Sequence, residues 1–265
     1  MQRADGARRE IRPAPYATVL TARAPYATVW RMLDLAPDLR LLPSRPAYAF
    51  NVYVAGGTIV DAATRHALRR ILRDTASLRI TAHAVTHGHS DHQGSSAALV
   101  RQLGIPFWAP AGEAEALRSG RDDALTPQNP ITRWQARHWR GPAVAVDREL
   151  VEGDELDAGF VALETPGHSP GHLSYWREED RTLIAGDVLF GRHPITGRPG
   201  LHEPPSRFTI DPARNRASIR RVAELRPALV VFGHGRPHRD PEALLRFAAA
   251  LPDDAPAAPP TPARV

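Results

Sequence analysis

The apolar pattern of the chain becomes regular at Tyr48. AYAFNVYVAGGTIVDA alternates and then runs apolar, with a break at Gly56 and Gly57, which predicts two strands joined by a tight turn. ATRHALRRILRDTA places Ala67, Leu68, Ile71 and Leu72 on one helical face. RITAHAVT predicts a strand that runs straight into a His-rich segment. SSAALVRQLG is a short helix with a Ser start and a Gly stop, and IPFWAP is a further strand. Strand, helix, strand, helix is the order of an α/β layer structure with helices covering a sheet.

Residues 111–142 interrupt that order. They contain a short helix, EAEALRS, and then a Pro- and Trp-bearing stretch, ALTPQNPITRWQARHWRGP, which reads as an inserted loop near a site. From Ala143 the strands resume: AVAVDREL, GFVALET, HLSYWRE and TLIAGDVLF are short, rich in Val, Leu and aromatics, and separated by turn residues. PARNRASIRRVAEL predicts an amphipathic helix, PALVVFGH a buried strand and PEALLRFAAAL a last helix. Two strand-rich halves, each carrying helices, pack as helix, sheet, sheet, helix. The expected organisation is one domain over residues 45–251, with tails at 1–44 and 252–265. The N-terminal tail is rich in Arg, Ala and Pro and holds an imperfect duplication, APYATVLTAR then APYATVWR; the C-terminal one is rich in Pro and Ala. Met32 offers an alternative start just before the regular pattern.

Composition removes several classes of function. Among 265 residues there is no Cys, so disulfides and thiolate ligands are excluded and any metal must be held by imidazole and carboxylate. No stretch reaches the roughly 18 to 20 apolar residues that cross a bilayer, and the N-terminus has no continuous apolar segment of signal-peptide type. The expectation is therefore a cytoplasmic protein without membrane partners. A net charge of +5 invites a nucleic-acid reading. All 34 basic residues, however, are Arg, and the groups Arg69, Arg70, Arg73 and Arg216, Arg220, Arg221 fall at helical spacings between apolar residues, as solvated helix faces do. A small-molecule substrate is the expected partner. Oligomeric state has no signature in the pattern.

The chemistry lies in where His and Asp fall. THGHSDHQG follows RITAHAV, TPGHSPGH follows FVALE, Asp187 ends TLIAG and His234 ends LVVFG, so four segments meet the C-terminal ends of predicted strands. In open α/β sheets that edge is where ligands bind. His87 and His89, two apart in a tight loop, can turn imidazoles to one ion with His168 as third ligand. Asp91 and His92 can serve a second ion, completed by His234. Asp187 has two oxygens and can bridge. Such a donor set suits two divalent cations, zinc foremost, with iron or manganese as the other candidates. Two ions about 3.5 to 4 Å apart would clamp a shared hydroxide. Isolated residues such as His66 and His83 read as packed or solvated side chains.

In THGHSDH (86–92), TPGHSPGH (165–172), AGDVLF (185–190) and FGHG (232–235), the sequence resembles the metallo-β-lactamase-fold hydrolases, and within them the glyoxalase II branch. NVYV at Asn51 and TIVDA around Asp61 are similar to that family's opening hairpin. The resemblance spans roughly residues 45–250. It implies a four-layer αββα sandwich, the ligand roles given above, and Asp61 behind the ligands, orienting one of them. It also implies hydrolysis of an ester, thioester or related acyl compound by a metal-bridging hydroxide, with Asp91 orienting that hydroxide and accepting its proton.

Relatives of the same fold leave alternatives open. Sulfur dioxygenases resemble this motif with one iron on the equivalent of His87, His168 and Asp187. Lactonases place a Tyr three residues beyond the bridging Asp, where this chain has Phe190, and ribonuclease-type members cleave phosphodiesters. A non-catalytic metal-binding protein is a further alternative. In glyoxalase II a sizeable C-terminal helical extension recognises glutathione; here 31 residues follow His234 and they turn Pro-rich, so glutathione specificity is not expected. The loop from Arg192 to Phe208, with His193 and His202, and the group Trp134, His138 and Trp139 are candidates for bordering a substrate.

Overall fold

The computed structural model describes residues 31–121 and 123–253; the duplicated N-terminal segment and most of the Pro/Ala-rich C-terminal tail lie outside them. Chain order through the first half is β1 (Leu33–Ala36), β2 (Leu39–Leu41), β3 (Tyr53–Ala55), β4 (Thr58–Val60), α1 (Leu68–Thr75), β5 (Ala82–Ala84), α2 (Ser96–Leu103), β6 (Phe107–Pro110), α3 (Ala114–Ser119), α4 (Pro130–Trp139) and β7 (Arg148–Leu150). The second half runs β8 (Val161–Glu164), β9 (Leu173–Arg177), β10 (Thr182–Ile184), β11 (Phe190–Arg192), β12 (Pro199–His202), α5 (Pro212–Glu224), β13 (Leu229–Val231) and α6 (Pro241–Ala249). Strands β1 to β7 form one sheet in sequence order, antiparallel up to β4 and parallel from β4 to β7. A second sheet has the order β13-β10-β9-β8, and β11 and β12 form a separate hairpin.

Alternation along the strands sorts side chains into layers. Tyr53, Ala55, Val60 and Ala84 of the first sheet meet Ala162, Tyr175, Ile184 and Val231 of the second in the central core. The intervening residues Val54 and Ile59 point the other way, onto Ala67 and Ile71 beside α1 and Leu99 of α2. On the second sheet Trp176, Leu183 and Val230 likewise turn outward onto Ile219 and Val222 of α5 and Leu244 of α6. The result is the expected helix, sheet, sheet, helix sandwich.

Three departures from the sequence reading concern short elements. β1 and β2 lie ahead of residue 45, where the domain was expected to start, and Leu39 and Leu41 belong to the central core. A three-residue strand followed by Pro43 and Pro46 is too brief to show a period. The 120–142 stretch, read as a loop, contains α4. Its start is well specified: the Asn129 side chain accepts from the Ile131 and Thr132 amides, the Thr132 hydroxyl closes a capping box, and Pro130 occupies the first helical position. The same Asx-Pro start opens α5 at Asp211 and α6 at Asp240. The stretch after Arg192 carries β12, which folds back on β11.

His83 sits inside this frame, fully buried on β5. Its Nδ1–H donates to the Ile59 carbonyl at 3.0 Å and its Nε2 accepts from the Ser96 hydroxyl at 2.7 Å, joining β4, β5 and α2 through a neutral ring. Burial lowers its pKa to about 4, against the smaller opposing effects of the Ile59 bond and the Asp61 charge. Above pH 6.5 folded and unfolded rings are both neutral. As pH falls toward 4 only the unfolded ring takes up a proton, so stability is lost across that window. The loss amounts to about 3 kcal/mol at most. Denaturant unfolding of wild type and His83→Asn, each at pH 7 and pH 4.5 with matched metal loading, should show the smaller acid loss in the variant.

Candidate metal centre

Strands β5, β8, β10 and β13 end at one edge of the sandwich, and each is followed by a turn that carries ligand-type side chains. β8, β10 and β13 run in the same direction, because β9 is antiparallel to both β8 and β10 while β13 is parallel to β10. From the first sheet the turn after β5 supplies His87, His89, Asp91 and His92. The second sheet supplies His168 from the β8–β9 turn, Asp187 after β10 and His234 after β13. All seven converge: ligand atoms of His87, His89 and His168 lie within 4.8 Å of one another, as do those of Asp91, His92 and His234, and those of His87, His92 and Asp187. Asp187 stands between the two groups. Its Oδ2 is 3.5 Å from His168 Nε2, 3.3 Å from His92 Nε2 and 3.1 Å from His234 Nε2.

Each imidazole has its outer nitrogen held. His87 Nδ1 donates to the Thr86 hydroxyl at 3.0 Å, His92 Nδ1 to Asp61 Oδ2 at 2.9 Å, His168 Nδ1 to the Thr209 hydroxyl at 3.3 Å and His89 Nε2 to the Leu125 carbonyl at 2.7 Å; His234 Nδ1 donates to the Ala49 carbonyl. Those bonds fix the ring orientations so that the remaining nitrogen of every ring faces inward. Buried His87 Nε2, His92 Nε2, His168 Nε2 and Asp187 Oδ1 have no hydrogen-bond partner. Buried polar atoms without partners are costly and rare, and several converging on one point are what a cation site requires. With no thiol in the chain, the donors are imidazole nitrogen and carboxylate oxygen, which suit zinc, iron or manganese.

Charge follows the same plan. Burial, reinforced by neighbouring imidazoles, holds His87 and His168 well below the ordinary histidine range, so both are neutral donors. Burial pushes the same way at His92 and His234, but Asp187 and the further carboxylates outweigh it and raise both, His234 to about 10, so without a cation each of these rings holds a second proton that a bound metal would displace. Burial raises Asp91 and Asp187, yet the facing histidines more than reverse this. Asp91 falls to about 2, helped first by its bond from His234, and Asp187 lies well below the carboxylate range. Both carboxylates are anions at any working pH.

Residues behind the ligands were in part legible. Asp61, expected to orient a ligand, accepts from His92 and from the backbone and hydroxyl of Thr86, so one buried carboxylate serves two histidines. His172 belongs to TPGHSPGH but had no assigned role; its Nε2 accepts from the Asp187 amide at 2.9 Å and its Nδ1 donates to Thr165. Glu113 gave no sequence signal beyond a helix start. It is 1% exposed and accepts from the Gly88 and Gly171 amides and the Ser169 hydroxyl, clamping the two His-bearing turns together. Asn51 has only a hairpin position to mark it in the sequence, yet its amide donates to the Phe232 and Gly235 carbonyls on either side of His234. Of the isolated histidines, His66 bonds the His138 carbonyl at the surface and His83 is structural, so neither joins the cluster.

The cluster floors a cavity of about 320 Å³. Phe50, packed against Trp139, lines it together with Phe190, Arg192 and Ile195 of the β11–β12 hairpin and Phe208. Of the residues expected to border a substrate, Trp139 and, from the Arg192–Phe208 loop, Arg192, Pro194, Ile195 and Phe208 do line the cavity. Trp134, His138, His193 and His202 are not among its lining residues.

Two substitutions test the arrangement. A Cβ at Gly233 would overlap Asp187 Oδ1 and His92 Cε1, so Gly233→Ala should displace the shared ligand and sharply lower metal content. Asp61→Ala should weaken metal affinity by roughly 10- to 100-fold with the fold retained. Chelator competition read beside circular dichroism measures both.

A family model described as the metallo-beta-lactamase superfamily matches residues 49–234. A probable metallo-hydrolase of Bacillus subtilis, YybB, is 30% identical over 151 residues, covering 57% of this chain and 62% of the relative. A hydroxyacylglutathione hydrolase of Bdellovibrio bacteriovorus is 31% identical over 117 residues, 43% of this chain and 36% of the relative, so the chain spans less than two thirds of either protein. Among solved structures, the metallo-beta-lactamase family protein TTHA1429 of Thermus thermophilus superposes with a TM-score of 0.59 at 25% identity, over 82% of this chain and 80% of the other. With 49–234 reaching from the segment just ahead of β3 to the last ligand, the chain belongs to the metallo-beta-lactamase superfamily, and hydroxyacylglutathione hydrolases of the glyoxalase II type are among its relatives.

Proposed function

We propose that this protein is a hydrolase that uses two divalent cations, zinc foremost, to cleave an ester, thioester or related acyl bond of a small molecule in the cytoplasm. One observation carries the reading: inward nitrogens of five histidines, each with its outer nitrogen held, face two carboxylates, one of which stands between both groups. His87, His89 and His168 would hold one cation, Asp91, His92 and His234 the other, and Asp187 would be shared. Such a pair supplies Lewis acidity and hydroxide near neutral pH.

The chain's own contribution is position and proton traffic. Asp91 lines the cavity and faces His234 through Oδ2 at 3.4 Å, leaving its other oxygen to orient the attacking water and take its proton. Phe50, Trp139 and Phe190 keep bulk water from the reacting carbonyl, which strengthens every charge interaction there. The name of the Bdellovibrio relative favours acyl over phosphoryl chemistry. Asp91, His92 and His234 form a second complete group, which weighs against the single-iron alternative.

Elemental analysis of the full chain should find about two equivalents of zinc, or of iron or manganese in its place. The loaded protein should turn over members of a panel of thioesters, esters and lactones in preference to β-lactams and phosphodiesters. His168→Ala and Asp187→Ala should lose both metal and turnover. Asp91→Asn should keep the His87, His89 and His168 site loaded while kcat falls by about 10²-fold or more. One iron per chain with no acyl hydrolysis would overturn the reading.

A further inference from the structure

Glu113 is the last residue of a single 3-10 turn, Ala111–Glu113, that leaves β6 and leads into α3. It is fully buried and lies outside the four ligand motifs. Three donors from two other turns converge on its carboxylate. The Gly88 amide donates to Oε2 at 2.6 Å, the Gly171 amide to Oε1 at 3.0 Å, and the Ser169 hydroxyl to the same Oε1. Close backbone approach makes this possible: a Cβ on Gly171 would come within 2.8 Å of Glu113 Cγ, and one on Gly112 within 3.1 Å of Gly171 Cα. A buried carboxylate is costly unless its oxygens are satisfied. Here both are, and among the described residues no basic side chain pairs with it.

Those partners are unevenly placed on the cluster. Gly88 lies between His87 and His89, Ser169 follows His168, and Gly171 closes the same turn. His87, His89 and His168 are the whole of one donor group. None of the three partners is next in sequence to Asp91, His92, Asp187 or His234. Asp61, by contrast, reaches both groups, because it accepts from His92 and also from Thr86, whose hydroxyl meets His87. The turn after β5 and the β8–β9 turn belong to different sheets, so the spacing of these three histidines depends on what spans the turns. The Leu173 amide joins them at their base through the Thr86 carbonyl, and Glu113 joins them beside the ligands themselves.

We propose that Glu113 is a positioning residue for one cation only: it sets the distance between the His87–His89 turn and the His168 turn, and leaves the Asp91, His92 and His234 group untouched. This rests on the two-cation reading of the cluster and assigns one buried residue to one of its halves. In Glu113→Gln the side chain keeps its length but has a single oxygen, so its NH2 must face the donor of one turn and the tie between the turns is broken.

Zinc-loaded, full-length protein challenged with increasing chelator tests this. Wild type should release zinc in two steps, and His89→Ala, which removes a ligand, marks the step that belongs to its group. Glu113→Gln should make that step easier by about 10- to 100-fold in affinity, and should leave the other within about twofold. If the two steps coincide in wild type, Glu113→Gln should separate them. With cadmium-113 in place of zinc, the variant should move the resonance that His89→Ala abolishes and leave its companion in place. Ser169→Ala removes one donor while Glu113 stays, and should shift the same step in the same direction by less; it decides the matter if Glu113→Gln does not fold by circular dichroism. Equal weakening of both steps, as a general loss of structure would give, or an unchanged His89-linked step, would overturn the proposal. A single step in wild type that remains single in Glu113→Gln defeats the two-cation reading by itself. Glu113 is then judged on that step: it should be lost in His89→Ala and weakened in Glu113→Gln, and a step indifferent to Glu113→Gln rejects the assignment.

Discussion

Each imidazole at the edge of the sandwich has two nitrogens, and only one of them can face inward. Left alone, a buried ring chooses its tautomer and its rotamer by whatever accepts its proton, and five rings packed together would choose badly. Here the choice is made from outside. Thr86, Asp61, Thr209 and the carbonyls of Leu125 and Ala49 each take the proton of one ring, and the five remaining nitrogens are left facing the cluster around Asp187. The rest of the structure can be understood as the means of holding those acceptors in place. Asp61 depends on β4, Leu125 on the segment ahead of α4, Ala49 on the approach to β3, and Thr209 on the turn before α5. A site of this kind needs the whole domain, because its orienting groups come from both halves of the chain.

The same dependence explains what could be read from the sequence. The seven inward residues follow predicted strands in four compact motifs, so their convergence was visible from residue order alone. The layers were visible because period-two and period-3.6 patterns are strong in the buried strands and in α5 and α6. Glu113, His172 and Asn51 were not assignable in the same way. Each acts on a backbone group far away in sequence, Glu113 on Gly88 and Gly171 and Asn51 on Phe232 and Gly235, and no spacing within one sequence encodes that. β1, β2 and β12 were missed for a different reason, since strands of three or four residues beside prolines show no period. α4 does carry a signal in the sequence: Asn129-Pro130 is a helix start by the same chemistry as Asp211-Pro212 and Asp240-Pro241, and Thr132 completes its capping box.

The walls of the cavity lie where sequence periodicity is weakest. α4 and the β11–β12 hairpin both line it, and neither belongs to the two main sheets. Yet both are tied to the frame. The Trp139 carbonyl accepts from the Arg65 amide and the Asn129 side chain reaches the Arg207 carbonyl, while Gly191 is bonded to the turn that carries His234. Residues in these two elements can therefore vary the shape and charge of the cavity without moving the donors beneath it, which is how one reaction centre can serve many substrates.

The origin of the ligands has a mechanical consequence. Four donors come from the first sheet and three from the second, so cations held by them act as rivets through the open end of the sandwich. Across the same seam Tyr175 donates to the Val85 carbonyl and Tyr53 to the Phe232 carbonyl, two bonds that already draw the halves together. Whatever binds the folded cluster and not the unfolded chain shifts the folding equilibrium by mass action. The melting temperature of this protein should thus report the free concentration of whichever metal the cluster holds, and protein short of that metal would have its two sheets less firmly joined at the end that carries the cavity.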